Sequence, residues 1–260
     1  MNSRPLTPSK TTPSIPVELA NKLSAMEGNH APLEESRKSA KSQVISSFSG
    51  PLSALNLSFN DTGDSLSIDP AIQAKCPQLS EGSTSLLQPK ASSAAKPSGR
   101  RIAAIFSGGP APGGHNVLAG LFDYLSPQNQ LLGVFGGPKG LLDGNIAELK
   151  SDTIANVRNT GGFDCLGSDR TKIKSDEQFA TVRRVVQEHK IDAIIMIGGD
   201  DSNTNAALLA EYLYPDCVVV GVPKTIDGDL QVGNWLPISF GFDTASKIYA
   251  ELVGNICQDT

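Results

Sequence analysis

Residues 101–116 read RIAAIFSGGPAPGGHN, an apolar run that passes directly into a loop of glycine and proline. A short, continuous apolar run such as RIAAIF is typical of a strand that is covered on both faces. The next residues, 116–125 (NVLAGLFDYL), have the spacing of an amphipathic helix. Strand, glycine-rich loop and helix together form the repeating unit of a parallel α/β sheet.

The same alternation continues along the chain. Residues 175–190 form the clearest predicted helix, because Ser175 and Gln178 make a capping box and Phe179, Val182, Val185 and Val186 form one apolar stripe. We therefore predict an α/β fold, with a mainly parallel sheet and flanking helices. The other predicted strands are 131–137, 191–199 and 217–224, and the other helices are 202–213 and 241–256.

The composition changes near residue 100. Serine occurs 20 times in residues 1–100 and 8 times in the remainder. A serine- and proline-rich stretch with few long apolar runs buries too little surface to offset the entropy of ordering. We predict a largely irregular, partly disordered extension over 1–100, with short ordered parts near Val17–Met26 and 66–79, and an α/β domain over 101–260.

Charge and composition exclude several classes of partner. The net charge of −5 gives no basic field for nucleic acid, and no apolar run approaches the roughly 20 residues of a membrane span. The opening MNSRPLTPSK has no apolar core of a secretory signal, and its prolines disfavour an amphipathic transit peptide. The cysteines have no metal-ligand spacing, so we expect buried or incidental thiols in a reducing cytoplasm. They are Cys76, Cys165, Cys217 and Cys257.

Three predicted strands end in loops rich in glycine or charge, after Phe106, Ile197 and Val222. Ligands of parallel α/β sheets bind outside the carboxyl ends of the strands, so these loops should meet along one edge. The loop at 107–116 could cradle phosphate with backbone N–H groups, although a purely structural turn fits equally well. His115 alone is more typical of a packing or capping residue than of a ligand.

The other two loops carry paired acids. Residues 198–205 (GGDDSNTN) place Asp200 and Asp201 together, which suits Mg²⁺ held with phosphate oxygens, unless one acid only caps the helix. In PKTIDGDL, residues 223–230, a carboxylate could accept the proton of an attacking hydroxyl, while Lys224 offsets charge on phosphate. A surface Asp-Gly turn would explain DGD, but not the neighbouring lysine and threonine.

Taken together and in order, SGGPAPGGHN, GGFDCLGSDR, GGDDSNTN and PKTIDGDL resemble the amino-terminal half of the phosphofructokinase catalytic region. The chain is similar to the pyrophosphate-dependent branch of the long type. Asp201 and Lys224 indicate the pyrophosphate-dependent branch, because ATP-dependent relatives have glycine at both positions. A carboxylate at Asp201 adds bulk and negative charge where the α-phosphate of a nucleotide would lie, so the implied phosphoryl donor is pyrophosphate.

The resemblance implies a role for each motif residue. On the donor side, Gly108 would contact pyrophosphate through its backbone, Arg170 would touch the phosphates, and Asp200 would hold Mg²⁺. Asp201 and Lys224 would set the choice of donor, and Lys224 would also stabilise the developing charge.

On the acceptor side, Asp227 would take the proton of the sugar 1-hydroxyl, Thr225 and Ile226 would line the sugar phosphate, and Asp229 would support the metal. Lys247 and Tyr249 would also contribute to acceptor binding. The implied reaction is reversible, Mg²⁺-dependent transfer from pyrophosphate to fructose 6-phosphate, a step of glycolysis, in a homo-oligomer.

Two alternatives remain at this point. The chain is short relative to the family, whose MGR motif and remaining sugar-phosphate ligands lie further on, so it could be inactive alone or a non-catalytic regulatory subunit. A kinase of the diacylglycerol or NAD kinase type also uses a GGDG-like loop, but Asp201 and PKTIDGDL do not fit that class.

Overall fold

The computed structural model describes residues 56–65, 67–81, 85–230 and 239–259. The short ordered part predicted near Val17–Met26 lies outside them, and the division at residue 100 stays a prediction. The strands are β1 (Leu57–Ser65), β2 (Ser85–Ala91), β3 (Arg101–Ser107), β4 (Gln130–Val134), β5 (Ile146–Glu148), β6 (Ala193–Gly198) and β7 (Val218–Pro223). The helices are α1 (Pro70–Lys75), α2 (Pro77–Glu81), α3 (Gly114–Leu125), α4 (Gly137–Asp143), α5 (Ser151–Val157), α6 (Asp176–His189), α7 (Asp200–Leu213) and α8 (Phe242–Asp259).

Five strands form the main sheet, in the order β5-β4-β3-β6-β7. β3 pairs in parallel with β4 and β6, and β6 pairs in parallel with β7, which confirms the predicted mainly parallel sheet. β5 is antiparallel to β4. The predicted helix α6 is also confirmed, with both hydrogen bonds of the Ser175 capping box and its four-residue apolar stripe buried.

Both faces of the sheet are buried along β3, β4 and β6, whereas the edge strand β7 is largely exposed. Side chains alternate along β3, so Ala103 and Ile105 join one core cluster with α6 and α7, while Ala104 and Phe106 join the other with α3 and α5. This alternation is why residues 102–106 of β3 are all apolar, rather than every second one.

The carboxyl ends of three central strands lie side by side because of strand register. Ser107 of β3 is paired with Gly198 of β6, and Gly198 is paired with Pro223 of β7. The next peptide is fixed as well, since the N–H of Lys224 donates to the carbonyl of Gly198 at 3.0 Å. The predicted convergence of the three loops at one edge is therefore confirmed.

Several short elements were not predicted from the sequence. Helix α4 contains Gly137 and Gly140, and glycine is a poor helix former. It forms because Leu141 is fully buried and because Asp169 accepts a hydrogen bond from the Lys139 N–H at 3.0 Å, across a long stretch of sequence. Strand β5 has three residues and depends on its pairing with β4.

Part of the serine-rich region is ordered against the domain. The predicted order within 66–79 is confirmed for residues 67–79, where Asp69 caps α1. The carboxylate of Glu211 on α7 accepts from the N–H groups of Gln78 and Leu79, each at 3.0 Å, and so fixes α2. Strands β1 and β2 pair as an antiparallel sheet that the sequence analysis did not predict.

Helix α8 presents an exposed apolar stripe. Its large side chains are between 44% and 64% exposed, and they recur at positions that share one helix face. In the described part of the chain, no helix is long and apolar enough to cross a membrane. The residues of the stripe are Ile248, Tyr249, Leu252, Val253 and Ile256.

We expect Ser175→Ala to lower the free energy of unfolding by about 1 kcal/mol, because the Gln178 N–H loses its cap at the start of α6. Urea denaturation would measure the change. Thr181→Ala is the matched control on the same helix, since its hydroxyl only bonds the carbonyl of Glu177. An equal loss in both variants would contradict a specific capping role.

Candidate active site

A cavity of about 310 Å³ opens at the carboxyl edge of the sheet. The loops after β3, β6 and β7 line it together with residues 170–172. Its charged lining consists of three cations and two carboxylates: Arg170, Lys172, Lys224, Asp200 and Asp201.

The glycine loop after β3 is held open by its backbone conformation. Gly108 has φ of +83°, which favours glycine, and its N–H donates to the carbonyl of Asp169 at 2.9 Å. At Gly109, an added Cβ would lie 3.6 Å from Nη2 of Arg170 and 4.0 Å from Nζ of Lys224. Both cations therefore reach the glycine loop, where an anion could meet them.

The start of α7 is fixed to the end of β3 by a buried hydroxyl pair. The Ser202 hydroxyl donates to Oγ of Ser107 at 2.9 Å, and both residues are buried. This contact holds Asp200 and Asp201, which form the first turn of α7, beside the glycine loop. Carboxylates are also favoured at this end of a helix by its dipole.

Asp169 holds the cationic segment in place. Its carboxylate accepts hydrogen bonds from the N–H of Lys139 at 3.0 Å, the N–H of Thr171 at 3.1 Å and the Thr171 hydroxyl. Arg170 lies beside these anchored residues, so the fold fixes the position of its backbone at the rim of the cavity.

The Asp201 carboxylate has a cationic partner in the cavity. Oδ2 of Asp201 lies 2.7 Å from Nζ of Lys172, and the hydrogen bond from Lys172 lowers the pKa of the Asp201 carboxyl. Both side chains remain substantially exposed, so this surface pair adds little to stability.

A second cavity of about 450 Å³ adjoins the first and shares Gly199, Asp200 and Lys224 with it. Thr225, Asp227 and Asp229 line this second cavity. The Thr225 hydroxyl donates to Oδ1 of Asp229 at 3.1 Å and accepts from the Asp227 N–H at 3.0 Å.

The loop that carries these residues is a turn rather than an extended segment. Gly228 has φ of +75°, and an added Cβ there would lie 2.6 Å from the Phe242 ring. Thr225 also pairs with Gly241 as an isolated bridge, and its carbonyl accepts from the Ser239 hydroxyl at 3.1 Å. The turn is thus packed against the start of α8.

The structure brings most of the predicted site residues together. Gly108, Arg170, Asp200, Asp201 and Lys224 line the first cavity. Thr225, Asp227 and Asp229 line the second, again with Asp200 and Lys224.

The remaining predicted residues lie elsewhere. Ile226 is 41% exposed and lines neither of these two cavities. Lys247 lines a separate cavity of about 870 Å³ and pairs with Asp243 at 2.7 Å. Tyr249 is 61% exposed and lines none of these three cavities, so no geometry here supports its predicted role in acceptor binding.

Sequence analysis missed Lys172, Thr171, Ser202 and Asn205, all of which line the first cavity. Only Lys172 carried a local signal, as the second cation of the segment RTKIK at 170–174.

His115 is a packing residue, as the sequence analysis favoured. It is 1% exposed, and its Nε2 accepts from the backbone N–H of Cys165 at 3.1 Å. An added Cβ at Gly161 would lie 2.7 Å from the imidazole, which shows how closely the 160–167 loop covers it. His115 therefore fixes the loop that leads to Asp169 and Arg170.

The carboxylates suit a magnesium ion that arrives with phosphate. Across residues 56–65, 67–81, 85–230 and 239–259, no three His, Cys, Asp or Glu side chains form a metal-ligand group. Mg²⁺ is usually held by one or two carboxylates plus substrate phosphates and water, so a complete protein cage is not required. Asp200 lines both cavities, so it is placed to serve as such a carboxylate ligand.

The structure thus defines an α/β protein with a cation-lined cavity at the carboxyl edge of a mainly parallel sheet. Residues 101–260 match the family model described as Phosphofructokinase, and the chain belongs to that family.

Among curated relatives, the chain is 53% identical over 172 residues to "Pyrophosphate--fructose 6-phosphate 1-phosphotransferase" of Treponema pallidum (strain Nichols), covering 64% of this chain and 30% of that protein. It is 54% identical over 165 residues to the protein of the same name from Entamoeba histolytica (strain ATCC 30459 / HM-1:IMSS / ABRM), covering 61% and 30%. The chain therefore spans about 30% of the length of these relatives.

The solved structure of phosphofructokinase from Saccharomyces cerevisiae superposes with a TM-score of 0.53 at 22% identity, covering 62% of this chain and 24% of that one. This similarity supports the fold alone.

We expect Asp169→Ala to destabilise the protein by about 2 kcal/mol, because the N–H groups of Lys139 and Thr171 lose a charged acceptor. Amide hydrogen exchange should show lost protection at these two positions. Asp176→Ala, an exposed acid in the first turn of α6, is the control. Unchanged protection of both amides would contradict the anchoring role.

Cysteine labelling tests the packing of the 160–167 loop. Burial raises the pKa of Cys165 and of Cys217 to about 12, whereas Cys257 is exposed. Because the thiolate is the reactive form, a short iodoacetamide pulse at about pH 8 should modify Cys257 and spare Cys165 and Cys217. Peptide mass spectrometry would measure this, and early labelling of Cys165 would show that the loop opens.

Proposed function

We propose that this chain carries the donor site and the general base of a pyrophosphate-dependent phosphofructokinase. The observation that carries the proposal is the position of Lys224 and Asp200, which line both adjoining cavities. A phosphoryl group that passes between a donor and an acceptor needs a cation and a carboxylate at such a boundary.

The first cavity is the proposed pyrophosphate site. Arg170 and Lys224 approach the loop of Gly108 and Gly109, and backbone N–H groups at the start of α7 add partial positive charge. Asp201 lines the same cavity, where its side chain would exclude the longer phosphate chain of a nucleotide.

The second cavity is the proposed acceptor site, with fructose 6-phosphate as the substrate. Asp227 takes the proton of the sugar 1-hydroxyl as that oxygen forms its bond to the transferred phosphorus. The P–O bond within pyrophosphate breaks, and inorganic phosphate leaves with the electron pair. Thr225 and Asp229 support this step, because their hydrogen bonds fix the backbone at Asp227.

Asp200 would hold Mg²⁺ against the phosphates, with Asp229 near it on the acceptor side. The ion would supply charge neutralisation on the phosphate oxygens. We propose that the step is reversible, as the family resemblance implies. A homo-oligomeric assembly and a cytoplasmic location complete the proposal, as the family resemblance implies.

Calorimetric titration of the purified chain with Mg-pyrophosphate and Mg-ATP tests this assignment. We expect the wild-type chain to bind pyrophosphate and not ATP. Lys224→Met should weaken pyrophosphate binding by about tenfold or more, because one charge-assisted contact is lost. Asp201→Gly should allow ATP to bind, because the blocking carboxylate is gone.

Lys150→Met is the matched control, since Lys150 is exposed and lines none of the cavities described above. Binding of ATP by the wild-type chain would overturn pyrophosphate as the donor. Binding of neither ligand would show that this chain does not form the donor site.

A further inference from the structure

Lys172 forms an ion pair inside the proposed donor cavity. Its Nζ lies 2.7 Å from Oδ2 of Asp201, and both residues line that cavity. None of the four motifs that carry the family resemblance contains Lys172.

The backbone around Lys172 is anchored on both sides. Thr171 is held by the carboxylate of Asp169. Ile173 is fully buried, and the Asn205 side chain both accepts from its N–H at 3.1 Å and donates to its carbonyl at 2.7 Å. A lysine between two such anchors has a restricted range of positions, so its approach to Asp201 follows from the fold.

The negative charge of Asp201 opposes the binding of pyrophosphate, whereas the size of its side chain does not. A carboxylate in this cavity excludes a nucleotide, but it also repels pyrophosphate, which is negatively charged at both ends. Arg170 and Lys224 reach the glycine loop instead, as the positions around Gly109 show. Lys172 is the cation that meets Asp201 directly.

We propose that Lys172 makes the donor cavity compatible with pyrophosphate by acting through Asp201. It neutralises the Asp201 carboxylate and holds it in place, so the carboxylate blocks nucleotides by its bulk while its repulsion of pyrophosphate is cancelled. Lys172 is thus a positioning residue. This inference rests on the proposed function, because it assumes that pyrophosphate binds in this cavity.

A different arrangement would have Lys172 bind pyrophosphate directly. The two arrangements predict different couplings between Lys172 and Asp201. If Lys172 acts through Asp201, its removal costs clearly more affinity while position 201 is negatively charged than when it is neutral. If Lys172 binds the ligand itself, its removal costs the same affinity whatever occupies position 201.

The test is a double-mutant cycle, read by calorimetric titration of the chain with Mg-pyrophosphate and with Mg-ATP. Lys172→Met should weaken pyrophosphate binding by about tenfold, and it should still exclude ATP because the Asp201 side chain remains. Lys172→Arg keeps the positive charge and should therefore retain most of the wild-type affinity for pyrophosphate. In the Asp201→Asn background, Lys172→Met should change pyrophosphate binding by less than about threefold.

Lys150→Met is the matched control, since Lys150 is exposed and lines none of the cavities described above. It should alter pyrophosphate affinity by less than about twofold, as expected for a more distant exposed charge. Thermal unfolding by circular dichroism would confirm that each variant is folded as the wild type is.

Two results would overturn the role of Lys172 while leaving the donor site intact. One is wild-type affinity for pyrophosphate in Lys172→Met. The other is an equal loss from Lys172→Met in the wild-type chain and in the Asp201→Asn background. Failure of the wild-type chain to bind pyrophosphate is a separate result, and it would overturn the proposed function together with this inference.

Discussion

The register of three parallel strands is the constraint on which the rest of the structure depends. Because Ser107, Gly198 and Pro223 lie in one row across the sheet, the loops that follow them begin at the same level. A shift of one residue in β3 or β6 would turn every side chain of that strand to the opposite face, where a different apolar cluster lies. The two apolar clusters therefore fix the loops after β3 and β6, and backbone pairing of β7 with β6 fixes the third loop.

Hydrogen bonds from distant parts of the chain then convert this row into a shaped cavity. Asp169 connects the cationic segment to α4, and Asn205 connects the same segment to α7. The hydroxyl pair of Ser107 and Ser202 closes the third side. Polar side chains that make several such contacts are costly to replace, because each loss leaves a partner without its hydrogen bond.

The charged residues of the two cavities fall into two pairs with different positions. Lys224 and Asp200 lie where the two cavities meet, whereas Lys172 and Asp201 lie in the first cavity alone and pair with each other. A carboxylate beside an anion site is tolerable when a cation is held against it. In the proposed function, this separates two properties of Asp201, since its bulk selects the ligand while its charge is balanced.

The sequence by itself determined the elements whose signals are local. The apolar run of β3 and the capping box at Ser175 were readable, because periodicity and capping depend on neighbouring residues. The start of α7 was predicted two residues late, since Gly199 is its N-cap and both acids lie inside its first turn. Only the tertiary structure decided α4, the pairing of Lys172 with Asp201, and the separation of Lys247 and Tyr249 from the two adjoining cavities. These features rest on contacts between residues far apart in the chain, and such contacts leave no pattern in any short stretch of sequence.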